Sequence, residues 1–289
     1  MKIHKLLLLF SLAYLTSSCA SDGIIISQSD SVNHIYRSDS SINTMIVMTI
    51  NMAHGRKNNF HQAFLEKNEI EENLDDIIRI SNRENPHLVA LQEADGPSFW
   101  SGKFNHVDYI SRQTRLKDYF QGYHVNNIGL NYGTALLASK KLNYSKSHTF
   151  NSRSAISLPK GFVLSTVKWP GENDLYVDVI SVHLDFLLDS VRQKQINELI
   201  TVMKERDNQI ILMGDYNADP KSIAFKSLIE LLNLKAYKFN RDGLETFSRS
   251  NKRLDWILIS KDMEFISYKV LPDNISDHSA VISEIALLR

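Results

Sequence analysis

The sequence predicts an α/β protein in which two sheets pack face to face and are flanked by helices. Three observations lead there. Short apolar runs of strand length recur along the chain, only a few longer segments carry helical spacing, and several runs stop on an acid, an amide or a histidine. Polar strand ends of that kind are where a layered α/β protein exposes loops and builds its sites. With 289 residues, 43% of them hydrophobic and 23% charged, the chain can bury one large core.

Residues 1–19 read as an export signal: Lys2 and Lys5 give a charged start, and the apolar stretch 6–15 is too short to span a bilayer. The segment Leu15-Thr16-Ser17-Ser18-Cys19 resembles a bacterial lipobox, with Thr16 where Leu is usual, and implies a mature chain that starts at a lipid-carrying Cys19. Ala20 rather than an acid follows, so the expected location is the periplasmic face of the outer membrane. Residues 20–43, rich in Ser, Asp and Asn, read as a flexible tether, and the folded domain is expected over 44–289.

The first strand is the apolar run 45–50. Ile70, Leu74, Ile77 and Ile78 then recur at helical spacing, Pro86 closes that helix, and a strand follows over 87–92. Residues 100–119 hold a short helix. Strands are expected over 132–138, 161–168 and 175–183, then a helix over 191–206 with Ile196, Leu199, Ile200 and Met203 on one face. The strand 209–213 comes next, then a helix over 222–232 and strands over 253–260, 264–270 and 280–286. No repeat of fixed period occurs.

Lys plus Arg and Asp plus Glu both number 33, and without the two lysines of the leader the balance becomes −2. No long-range positive field therefore draws the molecule onto nucleic acid, although a local basic groove is compatible with that balance. Cys19 is the only cysteine, so an intrachain disulfide is excluded and stability rests on the core. A monomer is expected.

The chemistry-bearing residues sit at the strand ends. Asn51 follows the first strand, where a turn Asn is the bland reading. Glu93 closes Leu88-Val89-Ala90-Leu91-Gln92 and offers the oxygen that a hard cation prefers, against the reading of a solvated loop acid. His183 ends another strand as a phosphoryl hydrogen-bond donor or a satisfied core histidine. In Gly214-Asp215-Tyr216-Asn217 a glycine turn exposes an acid and an amide two residues apart, a spacing that lets both enter one pocket. Asp255 lies in an apolar strand and needs a cationic or donating neighbour. His278 in Ser276-Asp277-His278 supplies one, and Asp277 beside it is free to face a metal.

Taken in order, Thr49-Ile50-Asn51, Leu91-Gln92-Glu93, Val182-His183-Leu184, Gly214-Asp215-Tyr216-Asn217, Leu254-Asp255-Trp256 and Ser276-Asp277-His278 resemble the motifs of the endonuclease/exonuclease/phosphatase superfamily over roughly residues 44–288. The resemblance implies a DNase I-like, four-layered α/β/β/α sandwich, one or two Mg²⁺ or Mn²⁺ ions, and attack of water on phosphorus. It implies Glu93 as principal metal ligand, with Asn51 and Asp277 completing or orienting the metal shell. His278, held by Asp255, and Asp215 are joint candidates for the base, and Asn217 with His183 would stabilise charge on the phosphoryl oxygens. Ala53, where abasic-site endonucleases carry an acid, and the presence of His183 lean the chain towards the deoxyribonuclease, sphingomyelinase and phosphatase side.

Three further segments have a functional and a bland reading. The basic loop 52–57, with His54 and Arg56, either grips a phosphate or head group or is solvated. Residues 94–100 form a pocket wall or pack on the sheet. Arg192 and Gln195 reach the site or lie on a solvated helix face. The expected activity is metal-dependent hydrolysis of a lipid head group or small phosphoester. The alternatives are an extracytoplasmic nuclease acting on DNA or RNA and a catalytically silent binding lipoprotein.

Overall fold

The computed structural model describes residues 43–288 apart from 128, 173, 240 and 241; the export signal with Cys19, and the tether up to residue 42, lie outside the described residues. The domain runs β1 (Thr44–Asn51), α1 (Lys67–Glu84), β2 (Leu88–Asp95), α2 (His106–Gln113), β3 (Asp118–Asn127), β4 (Leu130–Ala138), β5 (Leu142–Thr149) and β6 (Gly161–Lys168). It continues with β7 (Tyr176–His183), α3 (Asp189–Met203), β8 (Gln209–Asp215), α4 (Ile223–Leu231), β9 (Leu234–Ala236), β10 (Asp255–Ser260), β11 (Met263–Val270) and β12 (Val281–Leu287).

The strands form two six-stranded mixed sheets, ordered β11-β12-β1-β2-β4-β3 and β5-β6-β7-β8-β10-β9. Each has one parallel pair, β1 with β2 and β7 with β8, and each pair is joined by a helix, α1 or α3. A parallel pair needs such a crossover, because its second strand must start again from the first one's beginning.

Side-chain alternation divides the apolar residues into three cores. Met45, Val47, Ala90, Val163, Val179 and Met213 fill the space between the sheets. Their neighbours Met48, Ile50, Val89 and Leu91 point the other way, onto Ile70, Leu74 and Ile77 of α1 and Val107 of α2. Ile180, Val182 and Leu212 likewise meet Ile196 and Leu199 of α3 and Phe225 of α4. Two-residue alternation thus gives each sheet two apolar faces, and the outcome is the expected four-layered α/β/β/α sandwich.

The α1 face is the one its periodicity predicts, and the helix stops where expected. Asn85 turns left-handed at φ 54° and its N–H reaches Ser81 O at 3.0 Å, after which Pro86 cannot continue a helix. Other elements differ from expectation. β2 runs on to Asp95 through a bulge at Glu93, and β10 opens at Asp255, so that acid begins the strand. β3, β5 and β9 have no counterpart in the sequence reading. β5 is an edge strand whose side chains alternate little and stay largely exposed, so it has no apolar run to signal it.

Candidate active site

β1, β2, β7 and β8 all end at one end of the sandwich, and the antiparallel β10 begins there. Asn51 pairs in register with Gln92, His183 with Asp215, and Asp255 with Asp215. A buried polar seam fixes the two sheets to each other just beneath: Gln92 Nε2 donates to Ser181 Oγ at 2.9 Å, and that hydroxyl donates to Leu91 O at 2.9 Å. Gly214 lets β8 approach β7 closely, since a Cβ there would lie 2.0 Å from Val182 O.

Above the seam opens a pocket of about 270 Å³, lined by Asn51, Glu93, His183, Asp215, Asn217, Asp277 and His278 together with Arg56, Phe186, Phe247 and Arg249. The structure therefore brings the strand-end residues singled out in the sequence into one cavity, with Asp255 directly behind His278. Glu93 at φ 49° and Asn217 at φ 47° are held in the left-handed region, strain of a kind that gathers at functional sites.

On one side, His278 Nδ1 lies 2.7 Å from Asp255 Oδ2, and Thr246 Oγ1 donates to the same oxygen at 2.6 Å. Thr246 Oγ1 also accepts the N–H groups of Leu254 and Asp255, so it anchors the acid to its own backbone. His278 Nε2 faces Asp215 Oδ2 at 3.8 Å. Asp215 accepts from Asn51 Nδ2 at 3.0 Å and from the Asn217 N–H at 2.9 Å, with His183 Nε2 at 3.5 Å. Burial works against protonation of His278, but the charges of Asp255 and Asp215 raise its pKa well above the usual range. Burial pushes Asp215 up to about 7, against the opposing charge of His278 and with the support of Asp255.

Glu93, on the other side, has a different setting. Its carboxylate faces His54 Nε2 at 3.4 Å, Lys160 Nζ at 3.8 Å and His183 Nε2 at 4.0 Å. Burial alone would raise its pKa, yet His54, Lys160 and His183 outweigh it and hold the acid ionised. Lys160 is itself buried, 3.3 Å from His183 Nδ1, and burial lowers its pKa. Nothing in Leu158-Pro159-Lys160 marks this lysine in the sequence, and it was missed.

The donor chemistry of the site fits a hard divalent cation at Glu93. Its two oxygens meet their cationic neighbours only at 3.4 Å and beyond, so they remain available as ligands. The amide oxygen of Asn51 accepts the Ala53 N–H at 3.0 Å and keeps a second lone pair. Asp277, expected in the metal shell, is engaged otherwise here: its Oδ2 pairs with Arg56 Nη2 at 2.7 Å and Arg249 Nη2 at 3.3 Å. Asp215, Asp255 and His278 also converge within 4.8 Å, but His278 already spends Nδ1 on Asp255, which suits proton handling better than metal binding.

The two residues expected to hold substrate separate. Arg56 lines the pocket, whereas His54 lies behind Glu93, with Nδ1 2.7 Å from Asp95 Oδ1 and its ring against Trp100 and Tyr132. Trp100 Nε1 donates to the other oxygen of Asp95 at 2.8 Å, so this part of the 94–100 segment is packing that supports Glu93. Arg192 and Gln195 are buried rather than solvated: Arg192 Nη1 donates to Asp185 O at 2.7 Å, and Gln195 Oε1 accepts the Asp185 N–H at 2.8 Å. Together they fix the loop after β7.

Solved structures share this fold at low identity. A mannosyl-6-phosphatase from Bacteroides thetaiotaomicron VPI-5482 superposes with TM-score 0.64 at 16% identity, over 84% of this chain and 100% of that one. The human Nocturnin catalytic domain with bound sulfate gives 0.63 at 18%, over 85% and 95%. Sphingomyelinase C from Streptomyces griseocarneus gives 0.60 at 16%, over 83% and 99%. No functionally curated protein matches the chain in sequence. The sequence pattern of the Endonuclease/Exonuclease/phosphatase family does match, over residues 48–278, which include the motifs from Asn51 to His278 and most of the folded domain, and the chain belongs to that family.

Proposed function

We propose that the chain hydrolyses phosphate esters with the help of Mg²⁺ or Mn²⁺, and that its substrate is a lipid head group or another small phosphoester. The observation that carries this reading is the pairing, across one pocket, of an ionised and weakly partnered Glu93 with the hydrogen-bonded Asp255–His278 pair and Asp215. Glu93, with Asn51, would hold the cation. When bound, such an ion supplies Lewis-acid charge to the phosphoryl oxygens. His278 and Asp215, 3.8 Å apart, handle the proton of the attacking water, with Asp255 fixing the imidazole. His183 and Asn217 donate to the oxygens on which charge grows, and Arg56 with Arg249 faces the anionic substrate.

A small substrate is favoured by the balanced charge of the chain, since binding along a nucleic-acid backbone draws on many cationic contacts. The sphingomyelinase and phosphatase names among the similar folds agree with it. We further propose a monomer exported and anchored through lipidated Cys19 at the periplasmic face of the outer membrane; mass spectrometry that finds Cys19 unmodified would remove the anchor. The test of activity is a metal-supplemented screen over phospholipids, sphingomyelin, inositol phosphates, sugar phosphates, nucleotides and DNA. Hydrolysis of a small or lipid ester that stops in excess chelator is expected. Preferential cleavage of DNA or RNA would install the nuclease reading, and no hydrolysis of any ester would leave a binding protein.

A further inference from the structure

The large apolar side chains that stand exposed are concentrated at the pocket's end of the sandwich. Ile156, Leu158, Phe186, Leu187 and Leu188 occupy two loops that are fastened together: Ser154 Oγ and Ser157 Oγ both donate to Asp185 Oδ2. Lys160 closes the first loop beside His183, and Phe186 of the second lines the pocket. Phe60, Phe64 and Phe99 occupy a second pair of loops, joined by the packing of His61 on Trp100 with ring centroids 5.8 Å apart. That pair borders the pocket through Arg56. Ile156 is 83% and Phe60 90% exposed, so these side chains project rather than lie against the fold.

We infer that this rim is a membrane-docking surface that enters the head-group region of a phospholipid bilayer and sets the pocket over a lipid-borne phosphoester. The inference rests on the function proposed above for the pocket. Separate apolar tips on four loops around a polar opening suit a fluid medium that each can enter alone, whereas a folded partner needs a continuous complementary patch. Lys103 and Arg153, on the same loops, are exposed and have no ion-pair partner among the described residues; Asp189 at the rim is paired with Arg192, and the exposed Glu66 near Phe64 caps α1 by accepting the Glu69 N–H. Cations beside apolar tips match the phosphate plane of a bilayer.

The test uses the full chain with Cys19→Ser, so that neither the native thiol nor a lipid on it contributes. An environment-sensitive fluorophore is placed at Leu188→Cys or, as a control at the far end of α4, at Leu231→Cys. With vesicles of phosphatidylcholine and phosphatidylglycerol, a blue shift is expected at 188 and none at 231. Ile156→Ser combined with Leu187→Ser should weaken vesicle binding about tenfold and leave hydrolysis of soluble bis-nitrophenyl phosphate unchanged. Equal shifts at both positions, or none at 188, overturn the inference. A shift at 188 that grows with protein concentration in the absence of vesicles overturns it in favour of a second copy. Vesicle docking without hydrolysis of any ester would sustain the surface and overturn the proposed activity. Hydrolysis without docking would do the reverse.

Discussion

The two sheets contribute half-sites of opposite character. The first sheet presents Glu93, ringed by His54, Lys160 and His183; the second presents Asp215, set beside Asp255 and approached by His278. Burial pushes both carboxyls towards the neutral form, yet Glu93 stays ionised and Asp215 rises to about 7. The balance of neighbouring charge decides: the cationic groups led by His54 and Lys160 overcome burial at Glu93, whereas at Asp215 the His278 charge, opposed by Asp255, does not. One half is thereby suited to hold a fixed negative charge and the other to exchange protons.

The sharpest test of that division is a double-mutant cycle in the second half. His278→Ala is expected to lower turnover by about 10²- to 10⁴-fold, with a much smaller change in KM. Asp255→Asn should reproduce part of that loss, and the double variant should cost little more than His278→Ala, because the two act as one unit. Losses that multiply would mean the pair does not act together.

Glu93→Gln comes next. The neutral amide keeps the shape but loses the charge, and a loss of about 10²- to 10³-fold is expected, comparable to removing one positioned electrostatic contact. Titration with Mg²⁺ or Mn²⁺ should show a raised metal requirement. Unchanged metal dependence would break the assignment of fixed charge to the first half.

A smaller effect is expected from the residues that support Glu93. Lys160→Met and His54→Ala should each cost about 10- to 100-fold, the range for groups that orient a ligand without touching the reaction. The half-sites differ here too: these changes should alter the metal requirement, whereas Thr246→Val, which undercuts Asp255, should lower turnover at saturating metal.

Asp178, at the opposite end of β7, provides the control. Burial would raise its pKa, but hydrogen bonds from Arg206, Asn208 and Thr166 hold it below the usual carboxylate range. An acid with a depressed folded-state pKa stabilises above its unfolded pKa, near 3.9, and that stabilisation is lost as pH falls through the folded value. Asp178→Asn should therefore cost about 1–3 kcal/mol at neutral pH, flatten the acid limb of thermal melts, and leave turnover per folded molecule unchanged.

The strand-end residues were legible because each follows an apolar run: Asn51, Glu93, His183 and Asp215 are carried to one place by parallel strands that point the same way. Residues acting through others left no such mark. Lys160 sits in a polar loop, Asp95 acts through His54, and Thr246 acts through Asp255, so their partners are set by packing rather than by spacing. The same limit hid β5, whose polar edge carries no burial pattern, and the pairing of Asp277 with Arg56 across 221 residues of chain.

β1 lies between β2 and β12, with Thr44 beside Ala286. The opening strand of the domain is thus completed by its last one, and the first sheet cannot be finished until β12 has been made. Asp277 and His278 arrive in the same late stretch, immediately before β12, so the candidate site is complete only once the whole domain has been synthesised. For a chain exported as proposed, this order delays folding and favours passage through a narrow channel before the sandwich closes.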